Sequence, residues 1–254
     1  MSLTSYKILA AAIIFLAGLI GVAYPLKARV LPSHNSLLEM GDALASGIFL
    51  GAALFHMLPF AIQTFTAVAP EIHYPVAEFF CAAGFLLLLF FERVSGDVEQ
   101  GHQHSTMPYM VALILIIHSL IEGMVLGVYT SLTSAIIIFV AIVAHKSSES
   151  FALAVTLNRS SLSFRHILLL VGIFLIMTPA GILTGTTLTL FLQHRTAQLM
   201  IAGFNAFAAG TFLYMSTLHH INHHQREHHG EGLAEFIALV IGLICMGLIA
   251  ITEG

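Results

Sequence analysis

Apolar positions along this chain run together in long stretches rather than being scattered. Eight such stretches stand at about 6–25, 42–62, 76–93, 107–129, 133–157, 166–191, 197–218 and 232–252. A helix needs about 20 mostly apolar residues to cross the hydrocarbon of a bilayer. Each stretch therefore predicts one transmembrane helix, and the chain predicts an all-α integral membrane bundle of about eight spans in a single domain, residues 1–254. Turn and charge signals separate the stretches: Pro25, the run Pro32-Ser33-His34-Asn35-Ser36, Pro70, Pro75, Pro108, Asn158-Arg159-Ser160-Ser161 and Gly230. The first stretch is longer than the apolar core of a signal peptide and has only Lys7 before it, so it reads as a retained helix.

Cations between the spans set the orientation. Lys27 and Arg29 follow span 1, Arg93 follows span 3, Arg159 and Arg165 follow span 5, and Arg226 follows span 7. The alternate loops hold only Lys7 and Arg195, and Lys146 lies inside a span. The odd-numbered spans are thus expected to end in the cytosol, with both termini outside, in a plasma membrane or a bacterial inner membrane.

Composition sharpens the class. The chain is 58% hydrophobic and 9% charged, where soluble domains carry roughly 25% charge. That excludes a cytosolic enzyme, a nucleic-acid binder and a disulfide-stapled secreted module. Net charge is −4 with 9 Lys and Arg, so no basic patch is available to hold phosphates. Cys81 and Cys245 sit in apolar runs without metal-finger spacing. The unusual count is histidine, at 15.

Intramembrane polar groups carry the chemistry, because each is costly in a bilayer and marks a functional site by default. Span 4 contains His118-Ser119-Leu120-Ile121-Glu122, and span 5 contains His145-Lys146-Ser147-Ser148-Glu149. In both, His and Glu are four apart near mid-span and share one helix face. Side by side, the two spans would converge two imidazoles and two carboxylates, a donor set suited to a borderline divalent cation such as zinc or ferrous iron. Lys146 would offset part of the carboxylate charge and occupy the place of a second metal. His56 toward the outer end of span 2 and Asp42 toward its inner end are candidates to line a pathway. Two cytoplasmic histidine runs, one with His102 and His104 and one with His219, His220, His223 and His224, are candidates to relay metal leaving the membrane.

These motifs resemble the ZIP family of divalent metal transporters over most of the chain. Leu54-Phe55-His56-Met57-Leu58-Pro59, Thr178-Pro179-Ala180-Gly181 and Ala208-Ala209-Gly210-Thr211-Phe212-Leu213-Tyr214 support the likeness. The resemblance implies import of a metal ion into the cytosol, with both termini outside and a histidine-rich loop between spans 3 and 4. It implies that His118, Glu122, His145 and Glu149 form the transport site. It also implies alternating access, with spans 1, 4, 5 and 6 sliding against spans 2, 3, 7 and 8. The chain departs from the family pattern at Ser119 and Lys146, where many members supply ligands for a second metal. It departs again at Ile121 and Ser148, where many have a proline, and at Phe49, where some have a methionine. A single-metal site follows.

Zinc is the first expectation for the cargo, with iron, manganese and cadmium as further candidates and no cofactor. The expected partners are the ion and the lipid bilayer, with a homodimer as candidate assembly and no nucleic acid. The alternative is an integral-membrane di-iron oxidase, such as a lipid desaturase or hydroxylase, built on the string His220-Ile221-Asn222-His223-His224. It is disfavoured because the other loops hold no HxxxH box. A proton-coupled solute carrier is disfavoured by the paired ligand spacing.

Overall fold

The computed structural model describes residues 2–28, 36–98, 107–158, 160–188, 194–219 and 232–251. These form eight helical rods. Rod α1 is Leu3–Ala28. Rod α2 joins Ser36–Gly51, a π turn Ala52–Met57, and Leu58–Val68. Then come α3 (Val76–Val98), α4 (Met107–Val128), α5 (Leu132–Asn158) and α6 (Phe164–Leu188). Rod α7 is His194–Tyr214 closed by a π turn Met215–His219, and α8 is Gly232–Ala250. Seven rods are long and apolar enough to cross a bilayer. The eighth, α3, is 23 residues long, or about 35 Å at 1.5 Å per residue, and carries Glu78, Glu92 and Arg93.

Two sequence expectations change. Pro25 does not end the first helix, which runs on to Ala28. The Pro25 carbonyl accepts a 2.6 Å hydrogen bond from Asn158 Nδ2 on α5. Lys7, counted above among the loop cations, lies within α1 and is buried. Its ammonium donates to the Gly127 carbonyl at 2.5 Å and to Thr186 Oγ1 at 3.4 Å. A cation on the last carbonyls of α4 also meets the negative end of that helix.

The rods associate in four main pairs: α4 with α6, α2 with α8, α3 with α7, and α1 with α5. Apolar side chains gain little by leaving lipid for protein, so close backbone approach has to hold such pairs together, and glycine permits it. Gly123 and Gly127 on α4 meet Gly181 and Gly185 on α6 so closely that a Cβ on any of the four would run into backbone of the other helix. Gly47 and Gly242 do the same between α2 and α8, Gly84 and Gly210 between α3 and α7, and Gly21 between α1 and α5. Side-chain hydrogen bonds also cross the seams. Ser147 Oγ donates to the Ala17 carbonyl at 2.9 Å, and Tyr214 Oη donates to Glu92 Oε2 at 2.5 Å.

Further contacts gather the pairs into two groups. Helices α1, α4, α5 and α6 form one, and α2, α3, α7 and α8 the other. Among the described glycines, every backbone-on-backbone meeting falls within a group; across the boundary, Gly41 meets only the Phe151 ring.

The seams generate a paired test. Gly181→Val should destabilise the protein by at least about 1–3 kcal/mol, because the backbone of α4 leaves no room. Gly172→Ala, on the same helix with open space around the added carbon, should be neutral or slightly stabilising. Thermal unfolding of both variants in detergent reads the difference.

Candidate metal centre

Helices α4 and α5 are joined across residues 129–131 and run antiparallel. In α4 the order along the bundle is His118 then Glu122; in α5, descending, it is His145 then Glu149. Antiparallel packing therefore sets Glu122 level with His145 and His118 level with Glu149, so unlike side chains face each other across the helix pair. Imidazole Nε2 of His118 is 3.3 Å from Glu122 Oε1 and 3.2 Å from Glu149 Oε1. Nε2 of His145 is 2.5 Å from Glu122 Oε1 and 3.4 Å from Glu149 Oε1. All four residues are buried, and one ligand atom from each lies within 4.8 Å of all the others.

These spacings have a direct chemical meaning. Zinc bonds of about 2.0–2.2 Å to nitrogen or oxygen in a tetrahedron place neighbouring ligand atoms about 3.3–3.5 Å apart. Three of the four His–Glu edges, at 3.2–3.4 Å, lie at or just under that length. The fourth, His145 to Glu122, is a direct hydrogen bond and has to open for an ion to enter. His118 Nε2 and Glu149 Oε1 are buried, close together, and without a hydrogen-bond partner. Atoms aimed at a common point rather than at each other have that geometry.

The far oxygens of both carboxylates are used differently. Lys146 Nζ is 3.0 Å from Glu149 Oε2 and 3.4 Å from Glu122 Oε2. It also donates to Ser119 Oγ, which accepts from Thr178 Oγ1 of α6 at 3.3 Å. The Phe174 ring lies under the ammonium, 4.2 Å from Nζ to its centroid. Ser119 and Lys146 thus stand where the sequence placed them, beside the His/Glu cluster. Neither helix breaks at Ile121 or Ser148.

A cavity opens beside the imidazoles, lined by His56, Met57, Phe60, Val125, Ile138, Ile142 and Asn205 as well as His118, Glu122 and His145. Its walls reach toward residues 129–131, the predicted external end. At the other end the floor is closed. The Phe212 ring stands 4.7 Å from that of His118, and the Phe49 ring 4.8 Å from that of Phe212. Beyond these rings the apolar core is shared by both helix groups.

His56 enters the cavity wall through the π turn of α2. There the Leu58 N–H bonds the Ala53 carbonyl, one residue further back than in an α-helix. Its ring centroid is 6.1 Å from that of His145. Asp42, fourteen residues earlier on the same rod, is about 21 Å away along the axis and does not join the site. His102, His104, His220, His223 and His224 lie outside the described residues, as does the side chain of His219. Asn205 was not among the expected pathway residues but faces the cavity. Its signal is an amide well inside the apolar run 197–218.

The chain is similar to known proteins over most of its length. The family described as "ZIP Zinc transporter" matches residues 4–98 and 94–250. The protein named Zinc transporter ZIP1 from Takifugu rubripes is 27% identical over 265 residues, covering 86% of each chain. Zinc transporter ZIP2 from Mus musculus is 25% identical over 86% of each. Zinc transporter 3 from Arabidopsis thaliana is 25% identical over 96% of this chain and 84% of its own.

The one-sided cavity can be tested with thiol chemistry. With Cys81 and Cys245 replaced by Ala, Asn205→Cys should react with a membrane-impermeant thiol reagent applied at the predicted external end. Thr211→Cys, fully buried one residue from Phe212, should not react. Equal labelling of the two would contradict a closed floor.

Proposed function

Because the chain belongs to the ZIP family of zinc transporters, we propose that it imports zinc into the cytosol, one ion at a time, through His118, Glu122, His145 and Glu149. Family membership establishes the coarser statement: a multi-pass membrane protein that moves divalent metal ions. Members of this family are transporters and not enzymes, so the di-iron oxidase reading is set aside.

The observation that carries the site assignment is the set of His–Glu edges at 3.2–3.4 Å around buried ligand atoms. Two imidazole nitrogens and two carboxylate oxygens suit zinc, with ferrous iron next; manganese prefers more oxygen, and cadmium needs longer bonds. Single occupancy follows from Lys146. Its ammonium already holds the Oε2 atoms, and a second divalent ion there would meet like charge at close range in a poorly solvated site.

Import is supported by the cation distribution, which assigns the open end of the cavity to the outside. Both termini then lie outside as well. Alternating access around a mid-membrane site is supported by the two helix groups. All four ligating side chains belong to one of them, and Phe49, Phe212, His56 and Asn205 belong to the other. A slide of α1, α4, α5 and α6 would carry the ion past the Phe49–Phe212 floor without parting any glycine seam.

Zinc flux into proteoliposomes tests the reading. Glu122→Gln and Glu149→Gln should each remove most uptake, by about tenfold or more, while folding is retained, since the amide keeps the volume but not the charge that offsets the ion. Wild-type uptake in both would remove the site assignment. Calorimetry on purified wild type should count one zinc per chain at the membrane centre, and two would remove the single-ion reading. A panel of iron, manganese and cadmium in the same vesicles ranks the cargo.

A further inference from the structure

Each ring of the cavity floor has a polar residue seven positions further out on its own helix. On α7, Asn205 precedes Phe212; on α2, His56 follows Phe49. Seven residues are about 10 Å of helix. The group of α2, α3, α7 and α8 therefore presents two layers to the ion's route, a pair of rings below and an imidazole and an amide above. Outside the His/Glu centre itself, His56 and Asn205 are the only polar residues on the described cavity wall. The cavity volume is about 20 Å³, room for about one or two water molecules. A divalent ion arrives from solution with a full shell of waters, so most of that shell has to come off before the ion reaches the centre. Waters leave readily where protein donors take their place. Asn205 is placed to be such a donor. It stands half-buried at the middle of α7, and among the described residues no hydrogen bond holds its amide. Asn158 on α5, by contrast, spends its amide on the Pro25 carbonyl. An amide at membrane depth is costly without a partner, and an ion or its water supplies one.

We propose that Asn205 is a dehydration ligand for the incoming ion: its amide oxygen replaces a water of the shell while the ion is in the outer cavity, before the Glu122–His145 hydrogen bond opens. The inference rests on the transport site and the two-group motion proposed above. It gives the helix group that does not carry the site a share in loading it. Asn205 lies across the boundary from the four site residues, so a slide that carries the ion inward leaves the amide behind. Its contact therefore belongs to capture of the ion and not to passage of the loaded site. Loss of such a contact lowers kcat/KM, which reports capture, and does not lower kcat, which reports the later steps.

Initial rates of zinc uptake by the full-length protein in proteoliposomes, measured over a range of external zinc, test this. Asn205→Leu keeps the size of the side chain without the amide. It should lower kcat/KM about tenfold, the loss expected for one polar contact to a charged group, with kcat retained. Asn205→Asp restores an oxygen at the same position and should bring kcat/KM back to the wild-type value or above it. The inference is overturned if kcat/KM is unchanged in Asn205→Leu, or if kcat falls in step with it, which marks a role in packing or in the slide. It is also overturned if Asn205→Asp loses as much as Asn205→Leu. Should Asn205→Leu not reach the membrane, Asn205→Asp decides alone: kcat/KM at or above wild type supports the inference, and a lower value overturns it. Failure of the underlying transport reading is seen separately, as absence of zinc flux in wild type.

Discussion

Two carboxylates in the middle of a bilayer bundle are the constraint on which the rest depends. An uncompensated buried charge is strongly destabilising, by about 3–5 kcal/mol when one member of a buried pair is removed. Helices α4 and α5 can close on each other because three of the four oxygens of Glu122 and Glu149 are hydrogen-bonded, only Glu149 Oε1 being left without such a partner. Lys146 is the donor to both Oε2 atoms, and the imidazoles stand at Oε1. Lys146 is in turn located by Ser119, and Ser119 by Thr178 on α6. The charge arrangement at the centre thus fixes three helices relative to one another before packing is considered.

Packing then works on a different principle. Glycine seams weld helices in pairs where backbone meets backbone, and these seams stay inside each of the two groups. The boundary between the groups is made of side chains, including the Phe212 ring against His118 and the Phe151 ring against Gly41. Rings slide past one another with less disruption than interlocked backbones do. The site therefore sits on a rigid element and faces a compliant surface.

Sequence alone made the rods legible, because apolar stretches of bilayer length, repeated along a chain this poor in charge, can bury themselves only in lipid and in one another. The cluster of His118, Glu122, His145 and Glu149 with Lys146 was legible because polar groups stand out against such a background and because i,i+4 spacing fixes a shared face. The inward face of each helix was not. In lipid both faces are apolar, so the periodicity that reveals a core in a water-soluble helix carries little signal. Hence nothing marked Asn205 as facing a cavity, and Phe49 and Phe212 gave no sign that they form a floor. The π turn at Ala52–Met57 had no compositional mark beyond Pro59, whose missing N–H relaxes the preceding turn. Pro25 misled too: α1 runs three residues past it to Ala28, and Asn158 of α5 satisfies the Pro25 carbonyl.

The antiparallel crossing of two identical His-x-x-x-Glu segments has one more consequence. Exchanging α4 with α5 maps His118 onto His145 and Glu122 onto Glu149, so the centre has an approximate two-fold axis perpendicular to the helices. Toward either end of the bundle it presents the same edge, one imidazole beside one carboxylate: Glu122 with His145 at one end, His118 with Glu149 at the other. On the proposed transport route, an ion would meet the same donors on arriving as on leaving. Such a centre would be no rectifier, and the direction of net flow through it would come from the concentrations and the potential across the membrane rather than from the ligands themselves.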